Sequence, residues 1–477
     1  VHLDPRACHR ALSARDARFD GVFFVAVSTT GIYCRPICPA RTPRAERCSY
    51  FAHAVEAEHA GYRACFRCRP EIAPGSASVD ARSRLAAQAL DAIGRGGLAD
   101  GVEPLASRLG VTSRHLRRTL ATELGVTPIE VETTRRLAIA KQLLTDTSLP
   151  LAQVALASGF RSVRRFNAAF GARFDRSPSS VRRTMEHRVV RDAITLRLDL
   201  RPPFAWDELL AFLSPRATPR VERVTDGAYE RTVVIGDRVG WLRAAKHPDR
   251  DAMSLAIDPT LAPHAAQLAR AVRDLFDLDA RPDGVAAALA LDRTMASLTR
   301  RRPGLRVPGA FDAFESALRA VLAQQVSVAA ATTLMGRLAE RYGPTLGTNL
   351  PGLDRALPDA SALAALSPQA IATIGMPLTR ARALSSLSRA VARREIDLSG
   401  TTPPREVVRA LLALPGIGPF TAEVIAMRAL RDSDAFPAND LVIARRLGKR
   451  ALDRAERWRP YRAYAAMHLW TDEGAKR

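Results

Sequence analysis

The chain has no run of about 18 apolar residues, the length a membrane-spanning helix needs, so its apolar content of 47% has to be buried in soluble cores. Its amino terminus, "VHLDPRACHRAL", has no apolar signal core, which makes a cytoplasmic protein the expectation. Low-complexity tracts are absent, aromatics make up only 6%, and acidic residues are scarce: 49 against 71 lysines and arginines. The resulting formal charge of +22 over 477 residues makes a polyanion the expected partner, although an arginine-rich composition alone would raise it too. Cysteine is scarce and unevenly placed. All six, Cys8, Cys34, Cys38, Cys48, Cys65 and Cys68, fall in the first 68 positions. In a cytosolic chain that clustering reads as metal or thiol chemistry rather than disulfides. At this length three or four domains are expected.

Four of the cysteines follow the pattern Cys34-x3-Cys38-x26-Cys65-x2-Cys68, in "GIYCRPICPAR" and "ACFRCRP". Two close pairs separated by a small domain's length are the spacing of a tetrahedral four-thiolate zinc site. A purely structural zinc is the plainer reading. Arg35, Arg41 and Arg44 beside the first pair, with Arg67 and Arg69 beside the second, instead favour a nucleophilic thiolate and would hold a DNA phosphate against it. Cys8 and Cys48 have no partner at ligand spacing and read as free thiols.

The stretches "FFVAVSTTGIYCRPICPARTP" and "GYRACFRCRPE" resemble the amino-terminal domain of the Ada family of the bacterial adaptive response to alkylation. The resemblance implies one zinc on Cys34, Cys38, Cys65 and Cys68, and makes Cys34 the acceptor of a methyl group from a DNA methylphosphotriester. Four thiolates around a dication carry a net charge of minus two. Methylating one sulfur halves that charge, so DNA affinity should rise.

From Leu85 to Met185 the pattern is helical and repeats. Leu116, Leu120, Leu124 and Pro128 recur 50 residues later as Phe166, Phe170, Phe174 and Pro178. In each copy a glycine, Gly110 or Gly159, ends one short helix and opens a turn, and the next helix starts with basic residues. These are Arg114, His115, Arg117 and Arg118, then Arg161, Arg164 and Arg165, with Ser113 and Ser162 placed to cap or to contact phosphate. A helical bundle with a solvated basic face is the plainer alternative. The segment "ALASGFRS" with "FGARFDRSP" resembles AraC-type DNA-binding domains, which implies two recognition helices in successive major-groove faces. Beside a methyl sensor, it implies transcriptional activation of repair genes with RNA polymerase as a partner.

Beyond residue 190 the pattern alternates. Ile194, Leu196, Leu198 and Leu200 share a strand face, and "YERTVVIG" with "RVGWLRAA" predicts a hairpin. A basic Pro/Gly linker, "RRRPGLRVPGAF", leads into a region expected to be almost wholly helical from 310 to 477. There "LPGIGPFTAEVIAMRAL" predicts a tight hairpin between helices, in which Gly416 and Gly418 let the backbone approach a phosphate. A packing turn would explain the glycines equally. Asp440 follows in "FPANDLVIARRL", where it could cap a helix, serve as a catalytic carboxylate, or do both.

Hairpin and aspartate together resemble the helix-hairpin-helix DNA glycosylases, and from Ala193 onward the chain resembles their AlkA-type 3-methyladenine branch, in "RPPFAWDELLAFL", "GMPLTRARAL" and "WRPYRAYAAMHLW" among others. This implies Asp440 as the catalytic carboxylate, Trp470 as the aromatic wall of the base pocket, Phe420 and Leu441 at pocket positions, and Gln325 in the loop filling the gap left by the extruded base. The chain departs from the family at Phe420, where tryptophan is common, at Val424 and Leu441, where tyrosine is, and at Gln325, where a leucine wedge is. Lyase-type relatives carry a lysine where Phe420 stands. The absence of cysteine after Cys68 argues against an iron-sulfur cluster and against a later thiol for O6-methylguanine repair. Monofunctional, cofactor-free hydrolysis is therefore expected. A transcription factor with an inactive glycosylase-like module is the alternative.

The expected architecture is multidomain, mainly α with α+β. It comprises a zinc methyl-acceptor domain (1–76), a paired helix-turn-helix (80–184), an antiparallel-sheet α+β domain (190–300) and an all-α helix-hairpin-helix domain (301–477), acting as a monomer on damaged and promoter duplex DNA.

Overall fold

A computed structural model of the chain describes residues 3–75, 84–98, 100–184, 193–448 and 451–474. Met185 and the expected junction near residue 188 lie outside the described residues. The chain forms two compact units, one of residues 1–202 with 247–270 and the other of residues 203–246 with 271–477. No helix among the described residues is long and apolar enough to cross a membrane.

The first unit opens with a small sheet of order β3-β1-β2-β4, built from β1 (Phe24–Val27), β2 (Ile32–Cys34), β3 (Cys48–Phe51) and β4 (Arg63–Ala64). The short strand β4 pairs in parallel with β2, with Tyr33 opposite Ala64. That register decides the site, because the next residues along the two strands are Cys34 and Cys65.

The helical repeat follows. Helices Val102–Arg108 and Ser113–Leu124 form the first copy, Leu151–Ala157 and Val163–Phe174 the second, and the long helix Pro128–Asp146 runs between them. The shared stripe is the core: Leu116, Leu120, Phe166, Phe170 and Phe174 are at most 1% exposed. Gly110 and Gly159 adopt φ of +69° and +84°, the left-handed geometry that ends each first helix. The first cap differs from expectation. Thr112, not Ser113, accepts the His115 amide at 3.2 Å, while Ser162 caps the second copy as expected. The antiparallel strands Ile194–Asp199 and Ala252–Ile257, the first two in the order of a five-stranded sheet, complete this unit and bury Ile194, Leu196 and Leu198.

The second unit contains the expected hairpin, Ala228–Ile235 with Arg238–Lys246, flanked by Glu222–Thr225. Its helices pack around one large apolar core running from Ala205 to Leu469. Helices Pro404–Leu412 and Pro419–Arg428 flank the glycine hairpin. Gly416 has φ +82°, and a Cβ there would lie 2.8 Å from the Cβ of Ala383, so both backbone and packing demand glycine. Gly418, by contrast, meets nothing and caps the second helix through its backbone.

Candidate functional site

In the first unit the sulfurs of Cys34, Cys38, Cys65 and Cys68 all lie within 4.8 Å of one another. Tetrahedral zinc with Zn–S of about 2.3 Å requires sulfurs roughly 3.8 Å apart, so a four-sulfur, oxygen-free donor set fits this metal. Cys34 ends β2 and Cys65 follows β4, while the turn Arg35–Cys38, closed by the Cys38 amide on the Arg35 carbonyl at 3.1 Å, returns the second thiol of the first pair. Three of the four are buried and Cys34 is half-exposed. The amide of Arg67 donates to Cys65 Sγ at 3.3 Å and that of Arg35 to Cys68 Sγ at 3.4 Å. Among the described residues no amide donates to Cys34 Sγ. Burial pushes the Cys8 thiol up to about 11, which leaves it inert.

The arginines divide. Arg41, Arg44 and Arg67 are exposed, as a phosphate-binding surface needs. Arg35 is not available to DNA: its side chain is 2% exposed and is held by Asp20 and Asp199. Arg69 likewise turns inward, to Glu71 at 3.1 Å and Asp146 at 2.6 Å. Sequence reading missed both because it registers charge without direction.

It also missed how the cysteine site joins the helical repeat. Lys141, fully buried on Pro128–Asp146, donates to the Cys65 carbonyl at 2.7 Å and to Glu71 at 2.8 Å, and lies 4.5 Å from the centre of the Phe66 ring. Burial works against the charged Glu71, yet Lys141 and Arg69 hold its carboxyl below the usual range. Beside Cys34, Tyr33 donates to Glu58 at 2.9 Å, and Glu58 also takes Thr134 and Arg173 from the helices. Burial pushes the Glu58 carboxyl up. Arg114, Arg117 and Arg118 on Ser113–Leu124 and Arg164 and Arg165 on Val163–Phe174 are exposed; Arg161 is exposed too, but it lies in the turn before the Ser162 cap and not on the helix as expected. Of these, Arg117 pairs with the exposed Glu103 at 3.1 Å, a contact worth little in water.

In the second unit Asp440 both caps a helix and faces an aromatic ring. Its Oδ1 accepts the amides of Val442 at 2.9 Å and Ile443 at 3.1 Å, and the indole Nε1–H of Trp470 at 3.0 Å. Oδ2 has no hydrogen-bond partner among the described residues, and the residue is half-exposed. Trp470 stacks on Phe212, with ring centroids 6.4 Å apart and planes 15° apart, an aromatic partner the sequence reading did not assign. The Arg216 guanidinium lies 3.8 Å from the Phe212 ring centre. Burial, then repulsion by Arg319, lowers Arg216 to about 10; burial, then repulsion by Arg216, lowers Arg428 to about 9.

Phe420 is half-buried at the start of its helix, but Leu441 is 72% exposed rather than enclosed in a pocket. Gln325 is exposed, in a left-handed conformation with φ +54°. Its neighbour Gln324 clips that loop to the glycine hairpin, donating to the Gly416 carbonyl at 2.9 Å and to Thr421 at 3.0 Å.

Family models match along the chain in order: the metal binding domain of Ada at 7–71, a helix-turn-helix domain at 105–184, the AlkA N-terminal domain at 195–312 and the HhH-GPD superfamily of base excision DNA repair proteins at 318–460. A Mycobacterium tuberculosis protein described as "Probable bifunctional transcriptional activator/DNA repair enzyme AlkA" is 40% identical over 99% of this chain and 97% of its own length. DNA-3-methyladenine glycosylase 2 of Escherichia coli is 37% identical over 58% of this chain and 97% of its own. The solved 3-methyladenine DNA-glycosylase from Archaeoglobus fulgidus shares the fold, with a TM-score of 0.51 and 20% identity over 57% of this chain and 96% of its own. With the four-cysteine cluster, the exposed basic helices and the helix-capping aspartate downstream of the glycine hairpin in one polypeptide, the chain belongs to the AlkA family of bifunctional transcriptional activator/DNA repair enzymes.

Proposed function

We propose that the chain repairs alkylated DNA at two centres and uses the first as a transcriptional sensor. The reading of base excision rests on Asp440: three N–H donors fix one carboxylate oxygen and the other is left for the substrate. An alkylated purine such as 3-methyladenine, extruded from the duplex, is cationic and leaves without a general acid. As the C1′–N bond breaks, its electron pair goes to the base, and the carboxylate stabilises the positive charge developing on the sugar while water adds at C1′ and gives up a proton to solvent. Trp470 favours a cationic base by cation–π attraction. With Phe420 where a lyase lysine would stand, the product is an abasic site in an unbroken strand, and the hydrolysis uses no cofactor.

At the other centre, zinc when bound keeps the four sulfurs deprotonated. Cys34 Sγ, half-exposed and free of amide donors, attacks the methyl carbon of a methylphosphotriester; the S–C bond forms, the C–O bond breaks, and the oxygen keeps the pair as a phosphodiester anion. Arg41, Arg44 and Arg67 hold the backbone there. The paired helices carry Arg114, Arg117, Arg118, Arg164 and Arg165, with Arg161 in the turn before the second, to promoter DNA, and RNA polymerase is recruited as a partner. The protein acts as a cytoplasmic monomer, with the division at 1–76, 80–184, 190–300 and 301–477.

The exposed Leu441 and the less aromatic pocket favour a second reading, a transcription factor whose glycosylase half only binds DNA. Incubation with a duplex carrying both lesions separates the two. Peptide mass spectrometry is expected to find one methyl on the Cys34 peptide, and chromatography is expected to find free 3-methyladenine. Methylation without base release would leave the second reading standing, and an unmodified Cys34 would make the zinc purely structural.

A further inference from the structure

The region matched by the Ada metal-binding model ends at residue 71, yet the turn that carries its ligands is held by a residue from far outside it. Asp199 closes the strand Ile194–Asp199, within the region matched by the AlkA N-terminal model. Its Oδ2 accepts from Arg35 NH1 at 2.7 Å, and its Oδ1 lies 2.9 Å from Arg197 Nε. Arg35 immediately follows Cys34. Its Nε donates to Asp20 Oδ1 at 2.8 Å, its NH2 to Asp20 Oδ2, and its NH1 also to the Cys68 carbonyl at 3.1 Å, while its amide reaches Cys68 Sγ. Two residues beyond Asp199, Arg201 is 1% exposed and donates to the carbonyls of Asp20 at 2.8 Å and Gly75 at 2.7 Å. One guanidinium therefore ties Cys34's neighbour to Cys68 through the backbone, and two carboxylates far apart in the sequence, Asp20 and Asp199, fix that guanidinium.

We propose that Asp199 is a positioning residue for the methyl-acceptor centre, acting through Arg35 on the Cys34–Cys38 turn; this rests on Cys34 being the acceptor. An in-line displacement at carbon is steep in distance and angle, and small misplacements of the nucleophile are costly. Without Asp199, Arg35 keeps Asp20 but loses one of the two contacts that orient NH1, and the turn bearing Cys34 loosens while Cys34 keeps its place among the four sulfurs. The acceptor domain of this chain thus takes part of its alignment from the strand that begins the glycosylase half.

The test uses the full zinc-loaded chain and the variants Asp199→Asn and Asp199→Glu, with methyl transfer from a methylphosphotriester duplex followed by intact mass. For Asp199→Asn the transfer rate at saturating DNA is expected to fall about 10-fold. The half-saturating DNA concentration, the final yield of one methyl per chain, the zinc content and the rate of base release should match the wild type, which excludes misfolding. Asp199→Glu should recover most of the rate. Independently of transfer, amide hydrogen exchange in the Arg35–Cys38 peptide should be faster in Asp199→Asn. A rate within twofold of wild type, a loss confined to yield, an equal loss in Asp199→Glu, or unchanged exchange would each overturn the proposal. If the wild type itself takes no methyl on Cys34, the acceptor reading falls, and the exchange measurement alone decides whether Asp199 orders the turn.

Discussion

At Asp440 one oxygen is bound into the structure as a helix cap and the other is left for the proposed chemistry; the sequence already offered both roles, since an acidic residue before a helical pattern caps it. Phe212 and Gln324 were not legible. Each acts across the fold on a residue more than ninety positions away, and local periodicity assigns an aromatic to the core or a glutamine to the surface without naming its partner. His468, two positions before Trp470 on the same helix, is 2% exposed, and its Nδ1 has no hydrogen-bond partner among the described residues. Burial, then repulsion by Arg302, lowers it to about 4 from 6.5. The unfolded chain therefore binds a proton the fold excludes: this contribution is complete above pH 6.5 and is lost as pH falls toward 4, by up to about 3 kcal/mol. Denaturant melts between pH 7.5 and 5 should show His468→Leu losing stability less steeply than the wild type; parallel curves would contradict this.

The secondary elements carried most of the legible information. A 50-residue repeat gave the two helix pairs, alternation gave the hairpin, and the glycine turn gave the paired helices before Asp440. The first cap was misplaced by one residue because Thr112 and Ser113 are both competent caps, and only the backbone turning at Thr112 decides between them. The second copy needs one more residue between its helices, which the repeat of apolar positions does not record. At the glycine hairpin, Gly416→Ala combines a left-handed backbone with a Cβ 2.8 Å from Ala383. Its expected cost is about 1–3 kcal/mol, with weaker binding to undamaged duplex. Gly418→Ala, where nothing crowds the Cβ, should be milder in melting. Equal melting of the two variants would contradict the steric account.

Over the whole molecule the chain order of the domains was legible from motifs, but the compact units were not. Pairing Ile194–Asp199 with Ala252–Ile257 closes a loop of some fifty residues, and no local pattern says which strands will meet. The buried Lys141 is the same lesson in charge: a lysine on a long helix reads as solvated, yet this one joins the cysteine site to the helical repeat. Lys141→Met leaves buried Glu71 short of a cation and the Cys65 carbonyl short of a donor, an expected loss of about 3–5 kcal/mol. Urea denaturation of the zinc-loaded chain measures it. A loss below about 1 kcal/mol would mean that the ion pair does not support this junction. The central claim, that one polypeptide carries a working carboxylate for base excision, is tested most directly by the initial rate of 3-methyladenine release from methylated duplex by the wild type and by Asp440→Asn. The account predicts rapid release by the wild type and a loss of at least about 100-fold in the variant, with duplex binding retained. Equal release by the two proteins would contradict it.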